Sequence, residues 1–399
     1  MTLADGSARA PFDAVVLGAG NVGLLAALLL LRQGLAVRVC AHRRPAPVLP
    51  ATGFDARVYA LNTANIRQLR ELGVWQRLDA SRLGAIDAME VHGDEDGRLH
   101  FAGEGSALAV VVEDGALQGA LLATLDAENR ASAWWHAGTA EAVSILPDHA
   151  MLELSDQPPC HARLLVGADG SQSWLRQTLG WRAVTHDYGQ HGVVLNLACA
   201  RPHDGVARQW FSEGEVIALL PLGGQHVSLV WSARDRHADA LMGGGAEACL
   251  AELAQRIGLP LGPLTPVGAL ASWPLRLTRV PVICDQRVVL LGDAAHAIHP
   301  LAGQGLNLGL EDAFSLANTL AGRLPVEDCG QRSLLRRHAR RRAEPVARMQ
   351  LVTDTLQRLF ADPAPALAHL RNQGMRWVDR APLLKSLLAA SAAGESGAL

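Results

Sequence analysis

The sequence predicts an α/β fold with two sheet-containing domains and a helical C-terminal segment. Three patterns support this prediction. A glycine-rich turn joins an apolar run to a helical pattern near the N-terminus, residues 209–233 alternate between polar and apolar side chains, and the region after Gln331 has helical periodicity. The chain has 399 residues, 49% of them hydrophobic, which is enough for the cores of two or three domains.

Composition narrows the classes of function. The formal net charge is -3, and charged residues make up 19% of the chain. The overall charge therefore gives the protein no electrostatic attraction to nucleic acid or to anionic membranes. Six scattered cysteines without a CxxC pair disfavour structural zinc and indicate reduced thiols in a cytosolic protein. The apolar stretch from Ala14 to Leu31 contains three glycines and follows no basic cluster, so we expect neither a signal peptide nor a membrane span.

The first element is a βαβ unit. The pattern predicts a strand from Ala14 to Leu17, a helix from Val22 to Gln33 and a second strand from Ala36 to Cys40. Between the first strand and the helix lies a GxGxxG sequence formed by Gly18, Gly20 and Gly23. Such glycines permit a tight turn and a close approach of a pyrophosphate to the helix N-terminus, so the unit predicts a Rossmann-like dinucleotide site.

The end of the second predicted strand departs from that pattern. A dinucleotide fold places Asp or Glu there to hold the ribose, whereas this chain has Ala41. Arg43 and Arg44 follow, and they would fit a 2′-phosphate of NADP(H). The alternative, which we favour, is a pair of solvated loop arginines.

A second glycine-acid element covers residues 163–180, RLLVGADGSQSWLRQTLG. It predicts a strand, a turn with Asp169 and Gly170, and a short helix, although a hairpin or a helix cap would share the pattern. The alternating segment 209–233 follows, with a turn at Gly223 and Gly224, and predicts an antiparallel sheet in a second domain.

The third element covers residues 287–312 and raises the question of a metal site. Asp293, His296 and His299 lie three residues apart, as ligands on one helical face would. However, residues 287–293 read as a buried strand, and Pro300, Gly303 and Gly305 mark a loop before a helix that starts near 306. A strand, a glycine loop and a helix usually present backbone to a ligand, which weakens the case for a metal and leaves open whether the ligand is a phosphate, a flavin or nothing.

The C-terminal region from Gln331 to Leu399 is predicted to be helical, with breaks at Pro363, Pro365 and Pro382. Its basic run, residues 336–348, would suit a membrane or a protein partner. A solvated helix face is the interpretation that we favour.

Together, the motifs at 18–23, 167–176 and 292–312 resemble those of single-component flavoprotein monooxygenases, the class A group that includes p-hydroxybenzoate hydroxylase. More narrowly, residues 54–75, 271–280 and 299–312 resemble the signature segments of the ubiquinone-biosynthesis hydroxylase family. The resemblance covers nearly the whole chain, and it implies a flavin and no metal at residues 292–312.

The resemblance implies noncovalent FAD and three regions. These are a discontinuous FAD-binding domain (residues 12–75, 104–180 and 278–345), a substrate-binding β-sheet domain (76–103 and 181–277) and C-terminal helices (346–399). It implies pyrophosphate contacts near the first glycines, ribityl contacts near Asp293 and isoalloxazine contacts in the last loop. The implied cofactor-binding residues are Gly18, Gly20, Gly23, Arg57, Gln118, Asp169, Gly170, Gly292, Asp293, Gly303, Gln304, Gly305 and Asn307.

The implied reaction is hydroxylation of the aromatic ring of a polyprenyl phenol or quinol in ubiquinone biosynthesis, through a flavin C4a-hydroperoxide. O₂ and NAD(P)H or another electron donor would be consumed. The resemblance names no catalytic side chain, although His299 and Pro300 would lie in the flavin-facing loop. The resemblance also implies a cytoplasmic protein. Its implied partners are other quinone-biosynthesis proteins and the inner membrane, which it would contact peripherally.

Two departures from the family pattern leave an alternative open. Ala41 replaces the usual acid, and Asp114 and Gly115 stand where the family tends to have Asn-Arg. Both positions bear on FAD binding, so a catalytically silent flavoprotein-like scaffold subunit is the alternative function. A flavin-dependent halogenase would have a WxWxIP segment, which this sequence lacks.

Overall fold

A computed structural model describes residues 12–47, 49–93, 97–103, 105–128, 134–298, 305–324 and 326–361. The helices are α1 (Asn21–Arg32), α2 (Thr63–Glu71), α3 (Asp114–Glu128), α4 (Trp174–Thr178), α5 (Asp235–Ile257), α6 (Gly305–Ala321) and α7 (Arg332–Ala361). The strands are β1 (Phe12–Leu17), β2 (Val37–Ala41), β3 (Val58–Asn62), β4 (Gly84–Ile86), β5 (Ala88–His92), β6 (Arg98–Ala102), β7 (Ala109–Glu113), β8 (Trp135–Ala137), β9 (Ala140–Ile145), β10 (Ala150–Leu154), β11 (Gln157–Gly167), β12 (Val184–Cys199), β13 (Val206–Ser212), β14 (Glu215–Leu222), β15 (His226–Arg234), β16 (Leu264–Pro266), β17 (Ala271–Arg279), β18 (Cys284–Asp285), β19 (Val288–Leu290) and β20 (His296–Ala297).

The first sheet has the order β18-β19-β11-β1-β2-β8, and β9 and β10 extend it beside β11. Its central strands run parallel, with β1 between β11 and β2. Ala14, Val15 and Val16 are fully buried, because α1, α3 and α6 cover one face of the sheet and apolar side chains from β10 and α4 cover the other. The predicted strand-helix-strand order is confirmed, and β2 includes Ala41 as its last residue.

The second sheet has the order β20-β17-β12-β15-β14-β13-β5-β6. It is antiparallel except where β13 pairs with β5. The predicted hairpin at Gly223 and Gly224 joins β14 to β15, so that prediction is confirmed. One face packs against α5, which bends at Gly245, where φ is 77°. The opposite face looks toward the first sheet.

A small third sheet, β3-β7-β4, connects the two larger ones. Ile86 and Val111 from this sheet share a core with Leu220 and Leu222 of β14. The domain boundaries expected from the sequence remain a prediction.

Helix α7 closes the described chain and corrects one expectation. It is continuous through Pro345, and it packs on α6 and the second sheet, where Phe360 stacks on Phe211 with ring centroids 3.9 Å apart. The basic run was expected to be a solvated face, which is wrong for His338 and Arg342, since both are buried. No helix within the described part of the chain is long and apolar enough to cross a membrane. Pro363, Pro365 and Pro382 lie outside the described residues.

Candidate active site

A cavity of about 970 Å³ lies between the first and second sheets. The three segments that carry the family resemblance meet in it, through residues 56–60, residues 273–276 with Thr278, and, from the last segment, Gly292, Asp293, Ala297, Ile298, Gly305, Leu306, Asn307 and Gly309. These segments are more than 200 positions apart at their extremes, so only the folded chain brings them together. The cavity has a polar end near α1 and an apolar end on the second sheet.

At the polar end, the three glycines of the GxGxxG turn have different tasks. A Cβ on Gly18, where φ is 110°, would lie 2.2 Å from the carbonyl oxygen of Ala168, and a Cβ on Gly23 would lie 2.2 Å from that of Gly18. These two glycines allow close packing of backbone on backbone. Gly20 lines the cavity and has open space around it. The turn therefore leaves the free N–H groups of the first turn of α1 facing the cavity.

Polar side chains surround that helix end. Asn21 donates a hydrogen bond from Nδ2 to Oδ1 of Asp114 at 2.7 Å, and Gln118 donates from Nε2 to the carbonyl oxygen of Ala19 at 2.9 Å. Arg57 lines the same cavity, with its guanidinium carbon 5.0 Å from the ring centroid of Trp273. Arg57 and Gln118, both predicted from the resemblance, thus lie in the cavity wall.

Gly292 and Asp293 form a one-turn 3₁₀ helix after β19, where a plain strand end had been expected. Gly292 has φ of 57°, a left-handed conformation that glycine adopts without strain. The Asp293 carboxylate is open to the cavity and enclosed by protein on its other sides. That burial raises the pKa of Asp293, and the charges of His296 and Arg57 partly oppose the rise.

His296 takes no part in a metal cluster within the described chain, where no group of three or more potential ligands is suitably placed. It is buried, and its Nε2 lies 2.7 Å from Oδ2 of Asp312. Asp312 also accepts from the backbone N–H of Gly292 at 2.9 Å and from Nε of Arg342 at 2.6 Å. Burial would lower the pKa of His296, but the charge and hydrogen bond of Asp312 outweigh it and raise that pKa. This network fixes the turn that carries Asp293.

The N-terminus of α6 forms another wall. Gly305 and Asn307, two of the residues that the resemblance assigns to the flavin, line the cavity. The side chain of Asn307 is already engaged, since its Oδ1 accepts from the backbone N–H of Asn62 and from Nδ2 of Asn65, both at 3.0 Å. Its Nδ2 donates to the carbonyl oxygen of Ala60. Asn307 therefore positions the helix end. The predicted residues His299, Pro300, Gly303 and Gln304 lie outside the described residues.

The second glycine-acid element ends beside the cavity. Oδ2 of Asp169 accepts from the backbone N–H of Leu175 at 3.0 Å, which caps α4, and Gly170 lines the cavity with φ of 83°. Oδ1 of Asp169 is buried without a hydrogen-bond partner among the described residues. The strand, turn and helix predicted for 163–180 are confirmed.

The position expected to hold a ribose lies apart from this cavity. Ala41 is half-buried at the end of β2, and no acid replaces it there. Arg44, expected to be a solvated loop arginine, is partly exposed; it forms an ion pair with Asp126, and its guanidinium carbon lies 5.0 Å from the ring centroid of Trp134. Arg43 is exposed.

Comparison with known proteins decides between the classes of function. The family described as FAD binding domain matches residues 12–353. The ubiquinone hydroxylase UbiL of Rhodospirillum rubrum is 35% identical over 98% of this chain and 91% of its own length. The 3-demethoxyubiquinol 3-hydroxylase of Escherichia coli is 32% identical over 94% and 96%, respectively. The chain belongs to the ubiquinone-biosynthesis hydroxylase family of FAD-dependent monooxygenases.

The fold of this hydroxylase agrees with that membership. PqsL, a probable FAD-dependent monooxygenase from Pseudomonas aeruginosa, superimposes with a TM-score of 0.74 at 22% identity, covering 92% of this chain and 99% of that one. The predicted fold class is confirmed, and so is the family resemblance drawn from the motifs.

The apolar end of the hydroxylase cavity was not predicted from the sequence. It is formed where the second and third sheets face each other, and most of its side chains are aliphatic. They include Ile86, Met89, Phe101, Leu108, Leu220 and Val230. The alternation along β14 and β15 was visible in the sequence, but it does not say which face borders a cavity.

Proposed function

We propose that this hydroxylase adds oxygen to the aromatic ring of a polyprenyl phenol or quinol intermediate of ubiquinone biosynthesis. The observation that carries the proposal is a continuous cavity, which is polar where two helix N-termini meet it and apolar where two sheets enclose it. The polar end suits a dinucleotide cofactor, and the apolar end suits an isoprenoid tail. The names of the two relatives support the same substrate class.

The residues at the polar end fit FAD. The first turn of α1 would bind the pyrophosphate, because its N–H groups are free and Gly20 leaves room for it. Arg57, Gln118 and Asp293 would hold the remaining polar groups. The first turn of α6 stabilises negative charge in the cavity by about 0.3 to 1 kcal/mol, or more when buried. When bound and reduced, FAD supplies the activation of O₂.

The protein's own contribution is orientation and exclusion of water. Among the described residues that line the cavity, Asp114 and Asp293 are the carboxylates, both belong to the polar end, and there is no histidine. Arg208 in the apolar part is already paired with Glu90 at 3.1 Å. We therefore assign no general base, and the apolar walls act by holding the ring and its tail in place.

The function is tested with isotopically labelled O₂, the FAD-loaded protein and a prenylated phenol of short tail. We expect one labelled oxygen atom in the product ring. Neither labelled product nor consumption of NADH or NADPH would favour the scaffold alternative, and an unchanged quinone pool in a strain that lacks the gene would count against both functions. Anaerobic reduction of the bound flavin by NADH and by NADPH in turn identifies the electron donor, which we propose is NAD(P)H.

We propose further that α7 brings the enzyme to the cytoplasmic face of a membrane. Arg340 and Arg348 are exposed on the side of α7 that also presents Leu351 and Val352, which are 63% and 47% exposed. Cations attract anionic head groups, and exposed apolar side chains enter the interface. Co-sedimentation with phosphatidylglycerol vesicles but not with phosphatidylcholine vesicles is expected, and replacing Leu351 and Val352 by serine should weaken it.

A further inference from the structure

The carboxylate of Asp114 lies beside the helix end that would receive the pyrophosphate. Asp114 is the first residue of α3, and its Oδ1 accepts a hydrogen bond from Nδ2 of Asn21 at 2.7 Å. Asn21 is the first residue of α1, and both residues line the cavity next to Gly20. The same place therefore offers N–H groups that attract an anion and a carboxylate that repels one.

The charges facing Asp114 do not cancel this repulsion. Burial raises the pKa of Asp114, Arg57 opposes the rise, and Asp55 adds to it. Burial raises the pKa of Tyr59, and the nearby charges of Asp114 and Asp293 add to the rise. Among these groups, three carboxylates lie near one arginine, so the immediate surroundings of Asp114 carry net negative charge before any cofactor arrives, although Arg176 lines the same cavity.

Asn21 and Asp55 are both committed to hydrogen bonds at the start of α3. Oδ2 of Asp55 accepts from the backbone N–H of Gly115 at 3.1 Å, which caps the start of α3. Oδ1 of Asn21 is buried without a partner among the described residues, so the amide has an unused acceptor beside its bond to Asp114. A protonated Asp114 could donate a hydrogen bond, whereas the ionised form can only accept.

We propose that this chain binds FAD with uptake of one proton by Asp114. The pyrophosphate brings negative charge to the end of α1, and protonation of Asp114 removes the nearest opposing charge. The proton comes from solvent, and no covalent bond forms or breaks. The proposal rests on FAD binding alone and is independent of hydroxylation.

The direction of the pH dependence follows from linkage. Asp114 holds its proton more tightly in the complex than in the free protein. FAD therefore binds best at a pH below the pKa that Asp114 has in the free protein. As the pH rises from that value toward the higher pKa of the complex, the dissociation constant should increase by up to about tenfold per pH unit, equivalent to about 1.4 kcal/mol.

The experiment titrates flavin-free protein with FAD between pH 5 and pH 9, with flavin fluorescence as the signal. Wild type should show the rising dissociation constant. Asp114→Asn, which keeps the shape and the hydrogen bond to Asn21, should bind FAD at least tenfold more tightly at the alkaline end and lose the slope. Glu128→Gln, at the far end of α3 in an exposed pair with Arg32, is the matched control and should keep the slope.

Calorimetry of FAD binding in two buffers of different ionisation enthalpy counts the protons directly and needs only the wild type. Uptake approaching one proton supports the proposal. Uptake near zero overturns it, and so does an Asp114→Asn variant that retains the wild-type slope, which would move the proton to Asp293. Tight, proton-coupled FAD binding without hydroxylation would leave this inference standing and count against the proposed reaction instead.

Discussion

Replacing Asp312 by asparagine tests the buried network behind the active site. Oδ2 accepts from the backbone N–H of Gly292 and from Nε2 of His296, while Oδ1 accepts from Nε of Arg342. Asp312 is 2% exposed, so water cannot replace a lost partner. In Asp312→Asn, the amide NH₂ must face one of these donors in either orientation, and Arg342 loses a buried counter-charge.

Breaking a buried charge pair by removing one partner costs about 3 to 5 kcal/mol. We expect a loss of that size in the free energy of unfolding, measured by urea denaturation with tryptophan fluorescence at neutral pH. Glu311→Gln is the matched control: Glu311 also pairs with Arg342, at 3.0 Å, but its side chain is 30% exposed. The control should lose less than about 1 kcal/mol. Equal losses in the two variants would refute the reasoning.

The pairing of Asp312 with His296 makes the stability of the protein depend on pH. The raised pKa of His296 means that its pairing energy is complete below the ordinary histidine value of about 6.5 and is lost as the pH rises through the folded value. The pKa of Asp312, lowered by His296 and Arg342 against the effect of burial, has the opposite sign, so its contribution is lost only in strong acid. Wild-type stability should therefore fall above pH 6.5, and Asp312→Asn should not show that fall. Parallel pH profiles for the two proteins would contradict this.

Three further predictions concern ligands. Asp293→Ala should lower the FAD content after purification, because one charge-assisted hydrogen bond is worth about 1.5 to 3 kcal/mol; an unchanged flavin-to-protein absorbance ratio would count against it. Ala41→Glu should add a charge-assisted hydrogen bond and so tighten FAD binding about tenfold or more in a titration, with little change in turnover at saturating FAD. Equal or weaker binding would mean that another group occupies the ribose position. Ala218→Phe, in the apolar wall, should displace two or three methylene groups of a long tail, roughly 2 kcal/mol, and so raise KM about 30-fold for long-tailed but not short-tailed substrates. FAD affinity serves as its control.

The elements bounded by glycine could be predicted from the sequence because no larger residue fits at those glycine positions. A Cβ at Gly18 would strike the backbone of Ala168, so the turn and the helix after it leave a readable sign. The apolar cavity wall left no such sign. Leu219 and Leu220 are both buried, but Leu219 packs toward α5 whereas Leu220 borders the cavity. Hydrophobicity alone gives the two faces of β14 the same appearance.

Long-range ion pairs were also beyond the sequence. Arg342 lies in a run of arginines, of which Arg340 and Arg341 are exposed, and nothing local distinguishes the one that reaches Asp312 thirty positions earlier. Helical spacing puts Arg342 on the same face as the buried His338, which is a weak hint at best. Arg44 and Asp126, 82 positions apart, present the same difficulty.

The parallel sheet has a consequence for how the protein is made. β1, the strand that leads into the first glycine turn, pairs with β11, and β11 pairs with β19. Both β11 and β19 are synthesised long after β1. The turn after β19 is held by Asp312, and Asp312 pairs with Arg342 on α7, which is synthesised later still. A nascent chain that has emerged only as far as β17 has its GxGxxG sequence but no complete pocket for a flavin. We therefore expect cofactor capture only after α7 has been synthesised, and until then the apolar strands of the first sheet lack partners that would bury them.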